Sequence, residues 1–255
     1  MKKGLTFIGE SKFEKGKKLI QLFNGSGMIG SITGSFLVEQ FHMNYRGYFS
    51  SSFIPAFAVV KDGKPDNPVR LFENDSFLML LCEVSLSKTD VLPFVTQIYD
   101  WYDANDISEV IIFGGIPLEN KIERVSIPTY VTYVGSEMDK LVLEKNLPLK
   151  ESGSIFGSIA ASQLESIKRK RQSLAILAEC VPFIPDYAAA AKIVEIFNKI
   201  FDLNIETSKL WEEFESLKEQ LELVKRIQTN GIADDDYDDD YDFQDFGVSD
   251  FGEFT

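Results

Sequence analysis

The 255-residue sequence predicts an α/β fold: a mixed, mainly parallel sheet flanked by helices, with a C-terminal helical pair. Three observations predict it. Phe77-Leu78-Met79-Leu80-Leu81-Cys82-Glu83 and Val110-Ile111-Ile112-Phe113 are apolar without alternation, as strands covered on both faces are. Segments of helical period lie between such runs, and strand–helix–strand alternation at these spacings favours parallel pairing. The turn Asp62-Gly63-Lys64-Pro65 adds an antiparallel portion.

In chain order, Lys18-Leu19-Ile20-Gln21-Leu22-Phe23 reads as a strand that stops at the glycine-rich turn Asn24-Gly25-Ser26-Gly27. A helix is predicted over 28–41, with Ile29, Ile32, Phe36, Leu37 and Phe41 on one side. Two β-rich stretches follow at 45–52 and 56–61, the second expected to form a hairpin with Val69-Arg70-Leu71-Phe72. The strand 77–83 precedes a helix over 92–102, and the strand 110–113 ends at Gly114-Gly115-Ile116-Pro117. Strands at 129–134 and 174–177 bracket a helix near 157–170. Pro185-Asp186 offers the start of a helix striped by Ala189, Ile193, Ile196, Phe197 and Ile200. A second helix opens near Thr207-Ser208, either hydroxyl being a suitable cap. Its Leu210, Phe214, Leu217, Leu221 and Val224 form a two-repeat heptad seam, facing either the preceding helix or another chain.

The chain is thus expected to divide into an α/β core over 1–180, a helical addition over 181–230 and a flexible tail over 231–255. The formal net charge is −14, and the tail holds −10 of it in nine Asp and one Glu, with no Lys or Arg. A chain so charged lacks the clustered cations that phosphate binding needs, which excludes a nucleic-acid partner. Like-charge repulsion within Ala233-Asp-Asp-Asp-Tyr-Asp-Asp-Asp240 should keep that stretch extended. Six aromatics recur there, at Tyr237, Tyr241, Phe243, Phe246, Phe251 and Phe254; a mere spacer has no use for them, so the tail is expected to dock somewhere. The N-terminus opens no signal-type apolar run, and no stretch approaches the ~18 apolar residues of a membrane span. The expected setting is the cytoplasm, with no membrane partner and with Cys82 and Cys180 buried and reduced.

The residues that could carry chemistry are few. Gly25-x-Gly27-x-x-Gly30 sits between strand and helix as dinucleotide-binding glycines do, which would require a carboxylate closing the next strand. That strand ends in Ser50-Ser51-Ser52-Phe53, so the glycines are expected to serve a tight turn and close helix packing. Gly153-Ser154-Ile155-Phe156-Gly157 reads likewise as a turn into a helix. His42 is the only histidine, so a zinc site of clustered histidines is excluded. No Gly-x-Ser-x-Gly elbow occurs, and Glu83 and Glu179 at strand ends are the only sketch of an acid–base pair. Asp234, Asp236 and Asp238 match the first ligand positions of a calcium loop, but Asp239 stands where glycine is needed. The expectation is a protein with no catalytic residues, cofactor or metal; an enzyme of nucleoside phosphorylase or hydrolase type using the glycine-turn cleft is the alternative.

Four stretches share an order and spacing with a known family. They are Gly25-Ser-Gly-Met-Ile-Gly30 with Phe36-Leu37-Val38-Glu39, Val110-Ile-Ile-Phe-Gly-Gly-Ile-Pro117, Gly153-Ser-Ile-Phe-Gly157, and Val181-Pro-Phe-Ile-Pro-Asp-Tyr-Ala-Ala-Ala190. Over about residues 15–225 the chain resembles the archaeal proteasome assembly chaperone family. The resemblance implies a phosphorylase-like domain with a helical C-terminal addition. It also implies binding to 20S proteasome α subunits without nucleotide, and self-association as a homo-oligomer. In that family flexible C-terminal tails reach pockets between neighbouring α subunits, commonly ending in a hydrophobic residue, tyrosine and any residue. This chain ends in Glu253-Phe254-Thr255: Phe254 takes the aromatic place without a hydroxyl, and Glu253 replaces the hydrophobic residue. Burial of the Phe254 ring is worth about 2–3 kcal/mol, the terminal carboxylate can pair with a lysine, and the Asp run would make encounter with a basic surface fast and salt-sensitive.

Overall fold

A computed structural model of the chain describes residues 4–10, 12–13, 16–118 and 126–231. The tail beyond 231, with Glu253, Phe254 and Thr255 and the acidic triplets, lies outside the described residues.

The strands and helices, in order, are β1 (Thr6–Gly9), β2 (Lys18–Phe23), α1 (Ile29–Gln40), β3 (Asn44–Ser50), β4 (Val59–Lys61), β5 (Lys64–Asp66), β6 (Val69–Glu73) and β7 (Phe77–Cys82). They continue with α2 (Val91–Ala104), β8 (Glu109–Pro117), β9 (Thr129–Val134), α3 (Ser136–Glu144), α4 (Gly157–Arg169), β10 (Gln172–Cys180), α5 (Tyr187–Phe201) and α6 (Ser208–Gly231). Among the described residues, eight strands form one sheet in the order β1-β3-β6-β7-β2-β8-β10-β9. Its four central strands, β7, β2, β8 and β10, run parallel, while antiparallel pairs extend it on both margins. The expected mixed α/β sheet is therefore present, parallel at its centre, with a wider antiparallel part than one hairpin.

The expected hairpin is corrected. Asp62 (φ 50°) and Gly63 (φ 74°) do close a turn, but it joins β4 to β5 in a separate two-stranded sheet, and β6 pairs with β7 and β3. Burial explains the choice: Val69, Arg70, Leu71 and Phe72 are buried, whereas Val60 is 68% exposed. A strand that can cover apolar side chains on both faces belongs in the main sheet rather than in a surface ribbon.

Period-2 alternation sends each central strand to two cores. Ile20 and Leu22 of β2, with Met79, Leu81, Ile111, Phe113 and Ile176, meet α1, α3 and α5 on one face. Leu19 and Phe23, with Leu78, Leu80, Val110 and Ile112, meet α2 and α4 on the other. Four successive alanines, Ala188–Ala191, have no exposed surface, which lets α5 approach the sheet and α1 closely. On the second face a polar residue enters the sheet: buried Gln21 donates from Nε2 to Ser162 Oγ at 2.5 Å and accepts from Tyr102 OH at 3.0 Å. Tyr99 and Ser166 share a hydroxyl bond of 3.0 Å beside them, so the buried amide of Gln21 and the hydroxyls of Tyr99, Tyr102, Ser162 and Ser166 are all partnered. Arg169 extends this join to Glu165 and Asp100, each at 2.8 Å, and to Asp103.

Burial of this layer makes the fold sensitive to alkali. It pushes the Cys82 thiol and the Tyr99 phenol each up to about 12 and Tyr102 well above its ordinary value. Unfolded, such groups ionise near 8.5 and 10, so above about pH 9 the unfolded chain binds fewer protons and stability falls as pH rises. Urea unfolding should therefore show a level free energy from pH 7 to 8 and a loss of roughly 3 kcal/mol or more by pH 11. A flat profile to pH 11 would contradict this.

Candidate functional site

In open α/β sheets, ligands bind beyond the carboxyl ends of the parallel strands. That edge gathers the glycine-rich turn after β2, Gly114 and Gly115 of β8, and the segment 181–186 after β10. The backbone enters the left-handed region at Gly27 (φ 68°) and again at Met28 (φ 52°), which folds the turn Ser26–Met28 down onto the strand ends. There its groups meet protein. Gly27 N donates to Pro182 O at 3.1 Å, and Gly27 O accepts from Asp186 N at 2.9 Å. A side chain on Gly115 would come within 2.5 Å of both Ser26 O and Cys180 Sγ, and one on Gly27 within 2.9 Å of Cys180 Cβ. Gly27, Gly30 and Gly115 thus serve close packing of the chain against itself, as expected from the missing ribose carboxylate, whereas a side chain on Gly25 would meet nothing within 4 Å.

Asp186 organises the segment that fills the cleft. Its carboxylate is buried and accepts from Val181 N at 2.8 Å and from Ala189 N at 3.0 Å, the second bond capping α5. The backbone of Leu118 adds a further tie, donating to Cys180 O at 3.0 Å. Cys180 and Cys82 are both buried.

The two strand-end carboxylates are not brought together. Glu83 is paired with Arg70, whose other nitrogen lies 3.2 Å from Asp66, and Glu179 accepts from Tyr130 OH at 3.0 Å. β2 and β8 separate their strands, a span of about 14 Å at ordinary strand spacing. His42 is exposed at the far end of α1, where its N–H donates to Glu39 O at 3.2 Å in closing the helix. The second glycine cluster leads into α4, and Ile159 then packs on Gly114 so closely that a side chain there would overlap it. Among the described residues no cluster of three or more His, Cys, Asp or Glu could hold a metal, and no helix is long and apolar enough to cross a membrane.

The same edge is apolar outside. Met28 is 40% exposed, Leu118 36% and Phe183 57%; Leu118 makes one of the backbone bonds that fasten the filled cleft, and Met28 and Phe183 each adjoin a residue that makes another. α6 begins at the opposite edge, where Lys209 pairs with Glu39 at 2.8 Å, and runs back over the segment 181–186. Phe214, Leu217 and Leu221 there face Val181, Ile184 and Pro185 across a hollow of about 10 Å³, the room of one water. The expected seam is therefore covered within the chain at Leu210, which is buried, and only half-covered at Phe214, Leu217 and Leu221; Val224 is 50% exposed. Ten further residues carry the helix about 15 Å past Leu221, so α6 ends beyond the carboxyl edge.

The sequence signals for this arrangement were the glycine spacing and Pro185-Asp186; the partnership of Asp186 with Gly27, 159 residues away, had none. Comparison with known proteins agrees with the architecture. The chain is 24% identical over 220 residues to an uncharacterized protein of Methanocaldococcus jannaschii, covering 85% of this chain and 89% of that one. A crystal structure of Pyrococcus furiosus PbaA, described as an archaeal homolog of proteasome-assembly chaperone, superposes with a TM-score of 0.79 at 23% identity, covering 90% of this chain and 94% of that one. Pyrococcus furiosus PbaB, described as an archaeal proteasome activator, gives 0.76 at 15% identity, with 88% and 99% covered. Residues 19–225 match the PAC2 family, and the chain belongs to it.

Proposed function

We propose that this protein is a cytoplasmic proteasome assembly chaperone rather than an enzyme. In this reading it binds 20S proteasome α subunits without nucleotide, self-associates, and docks through its C-terminal tail. The observation that carries the reading is the filled cleft: the place where a ligand would sit in a phosphorylase-like sheet is occupied by residues 181–186, held there by Gly27 and Asp186. Membership of the PAC2 family and the fold shared with the Pyrococcus homolog of proteasome-assembly chaperone support the partner. An enzyme of the same fold would need polar groups converging at that edge, whereas Glu83 and Glu179 are each engaged elsewhere. The tail leaves α6 from the same apolar end, which allows Met28 and Phe183 to touch the partner that the tail engages.

Purified 20S proteasome or free α subunits should retain the full-length chain at low salt and release it at high salt, since an acidic tail acts through screened attraction. A chain ending at Gly231 should bind roughly 30-fold more weakly or worse, the effect of losing one buried Phe ring. Equal binding by both chains would move the contact to the folded body. Binding by neither at low salt would remove the proteasome as partner.

A further inference from the structure

Asparagine precedes glycine twice in the chain, at Asn24-Gly25 and at Asn230-Gly231. Glycine leaves its own backbone nitrogen unshielded, so in such a pair that nitrogen can close a five-membered ring on the asparagine amide. The fold treats the two pairs differently. Asn230 and Gly231 lie in α6, whose backbone N–H groups belong to the helical hydrogen-bond ladder. Asn24 is half-buried and Gly25 exposed, in the turn between β2 and α1. There Asn24 Oδ1 accepts from Ser31 Oγ at 3.1 Å, while among the described residues neither Asn24 Nδ2 nor Gly25 N donates to any acceptor. The leaving group and the nucleophile are thus both free, and the carbonyl between them is already polarised.

We propose that Asn24 is a self-modification site, where the Gly25 nitrogen attacks Asn24 Cγ and the side-chain amide becomes a carboxylate. As the bond from Gly25 N to Cγ forms, Oδ1 takes the developing negative charge, and the Ser31 hydroxyl stabilises it. The Cγ–Nδ2 bond then breaks, and that nitrogen leaves as ammonia with the proton given up by Gly25 N. Water opens the resulting imide at one of its two carbonyls. One product is aspartate; the other is isoaspartate, whose main chain passes through Cβ and Cγ. Nothing is oxidised or reduced, and water is the only other reactant. The two products act oppositely on the turn. α1 has neither an acidic residue in its first turn nor a side-chain cap, so an aspartate bonded to Ser31 supplies a missing favourable charge. Isoaspartate lengthens the main chain by one atom between two anchors, Asn24 N on Cys82 O at 2.8 Å and Met28 N on Gly25 O at 2.9 Å. The longer link pushes Gly27 away from Pro182, whose bond fastens the filled cleft. The site gives the cleft an age-dependent state, whichever protein the chain binds.

Peptide mass mapping of the full-length chain, held for weeks in mildly alkaline buffer, tests this, with electron-transfer fragmentation to tell the two products apart. The Asn24 peptide should gain the mass of an amide-to-acid change well ahead of the Asn230 peptide. In urea, where neither pair is held, the two should convert alike. Gly25→Ala keeps an open, extended position filled without a clash, and by shielding the nitrogen it should slow conversion at Asn24 by about tenfold or more. Ser31→Ala should slow it as well, by removing the donor to Oδ1. The isoaspartyl fraction should show faster hydrogen exchange at the Gly27 amide, whereas Asn24→Asp should keep wild-type protection there. An Asn24 that stays intact in the folded chain while converting in urea overturns the proposal. So does a rate that Gly25→Ala leaves unchanged or that Ser31→Ala raises.

Discussion

Asp186→Ala should lower the unfolding free energy by about 3 kcal/mol, a large loss for a single polar side chain. Two buried N–H groups depend on this carboxylate, those of Val181 and Ala189. Removing an N-cap costs about 1 kcal/mol or somewhat more. Leaving a second buried donor without its charged acceptor adds about 1.5–3 kcal/mol. Asp186→Asn keeps one carbonyl oxygen but turns an amide NH2 towards the other donor, so it should recover only part of the loss. Urea unfolding gives the free energies, and hydrogen exchange gives the location. The Val181 and Ala189 amides should exchange faster in Asp186→Ala, while amides of β2 and β7 keep their protection until global unfolding. A loss under 1 kcal/mol would mean that the segment 181–186 is held over the glycine turn by its apolar residues alone.

The same residue shows how far the fold could be read in advance. Pro185-Asp186 marked a helix start from local chemistry alone, and the structure caps α5 there. The bonds that Asp186 makes possible around Gly27 join segments far apart in sequence, and no local pattern encodes them. Strands β2, β7 and β8 were legible because burial on both faces leaves them without polar residues beyond the first positions Lys18 and Glu109, except Gln21. The partners of Gln21, Ser162 and Tyr102, come from α4 and α2, so its role emerges only after folding. β1 was missed because it has four residues on a sheet margin, and α3 because its nine residues bury only Met138 and Val142.

α4 was legible as a helix but not in its orientation. Apolar periodicity is ordinarily read as the inward face, and here Ser162, Glu165 and Ser166 turn inward instead. The hairpin was misassigned for a related reason: Asp62-Gly63 fixes a tight turn but does not say how far the pairing continues, and the apolar content of β6 took it into the main sheet. Composition alone singled out the tail as a segment apart from the folded body. That α6 ends beyond the carboxyl edge follows from its direction, which no residue spacing reveals.

Gly30→Ala and Gly25→Ala separate packing from ligand binding at the glycine turn. At Gly30 an added Cβ would overlap the carbonyl of Phe23, a backbone atom in the buried strand β2 that has no room to give. The helix α1 would have to withdraw, loosening Ile29, Thr33 and Leu37 against the sheet, all of them essentially without exposed surface. Overpacking of this kind against backbone should cost about 3 kcal/mol or more. At Gly25 a Cβ would meet nothing within 4 Å, and its φ of −163° is extended, open to any residue. Alanine there should change stability by less than about 0.5 kcal/mol. A turn built to cradle a phosphate would instead need close approach at its outermost glycine, so Gly25→Ala would then abolish a function while leaving stability intact. Urea unfolding of both variants, with proteasome retention measured beside it, distinguishes the two. The filled cleft predicts that Gly30→Ala loses stability first and binding only through it, and that Gly25→Ala behaves as wild type in both.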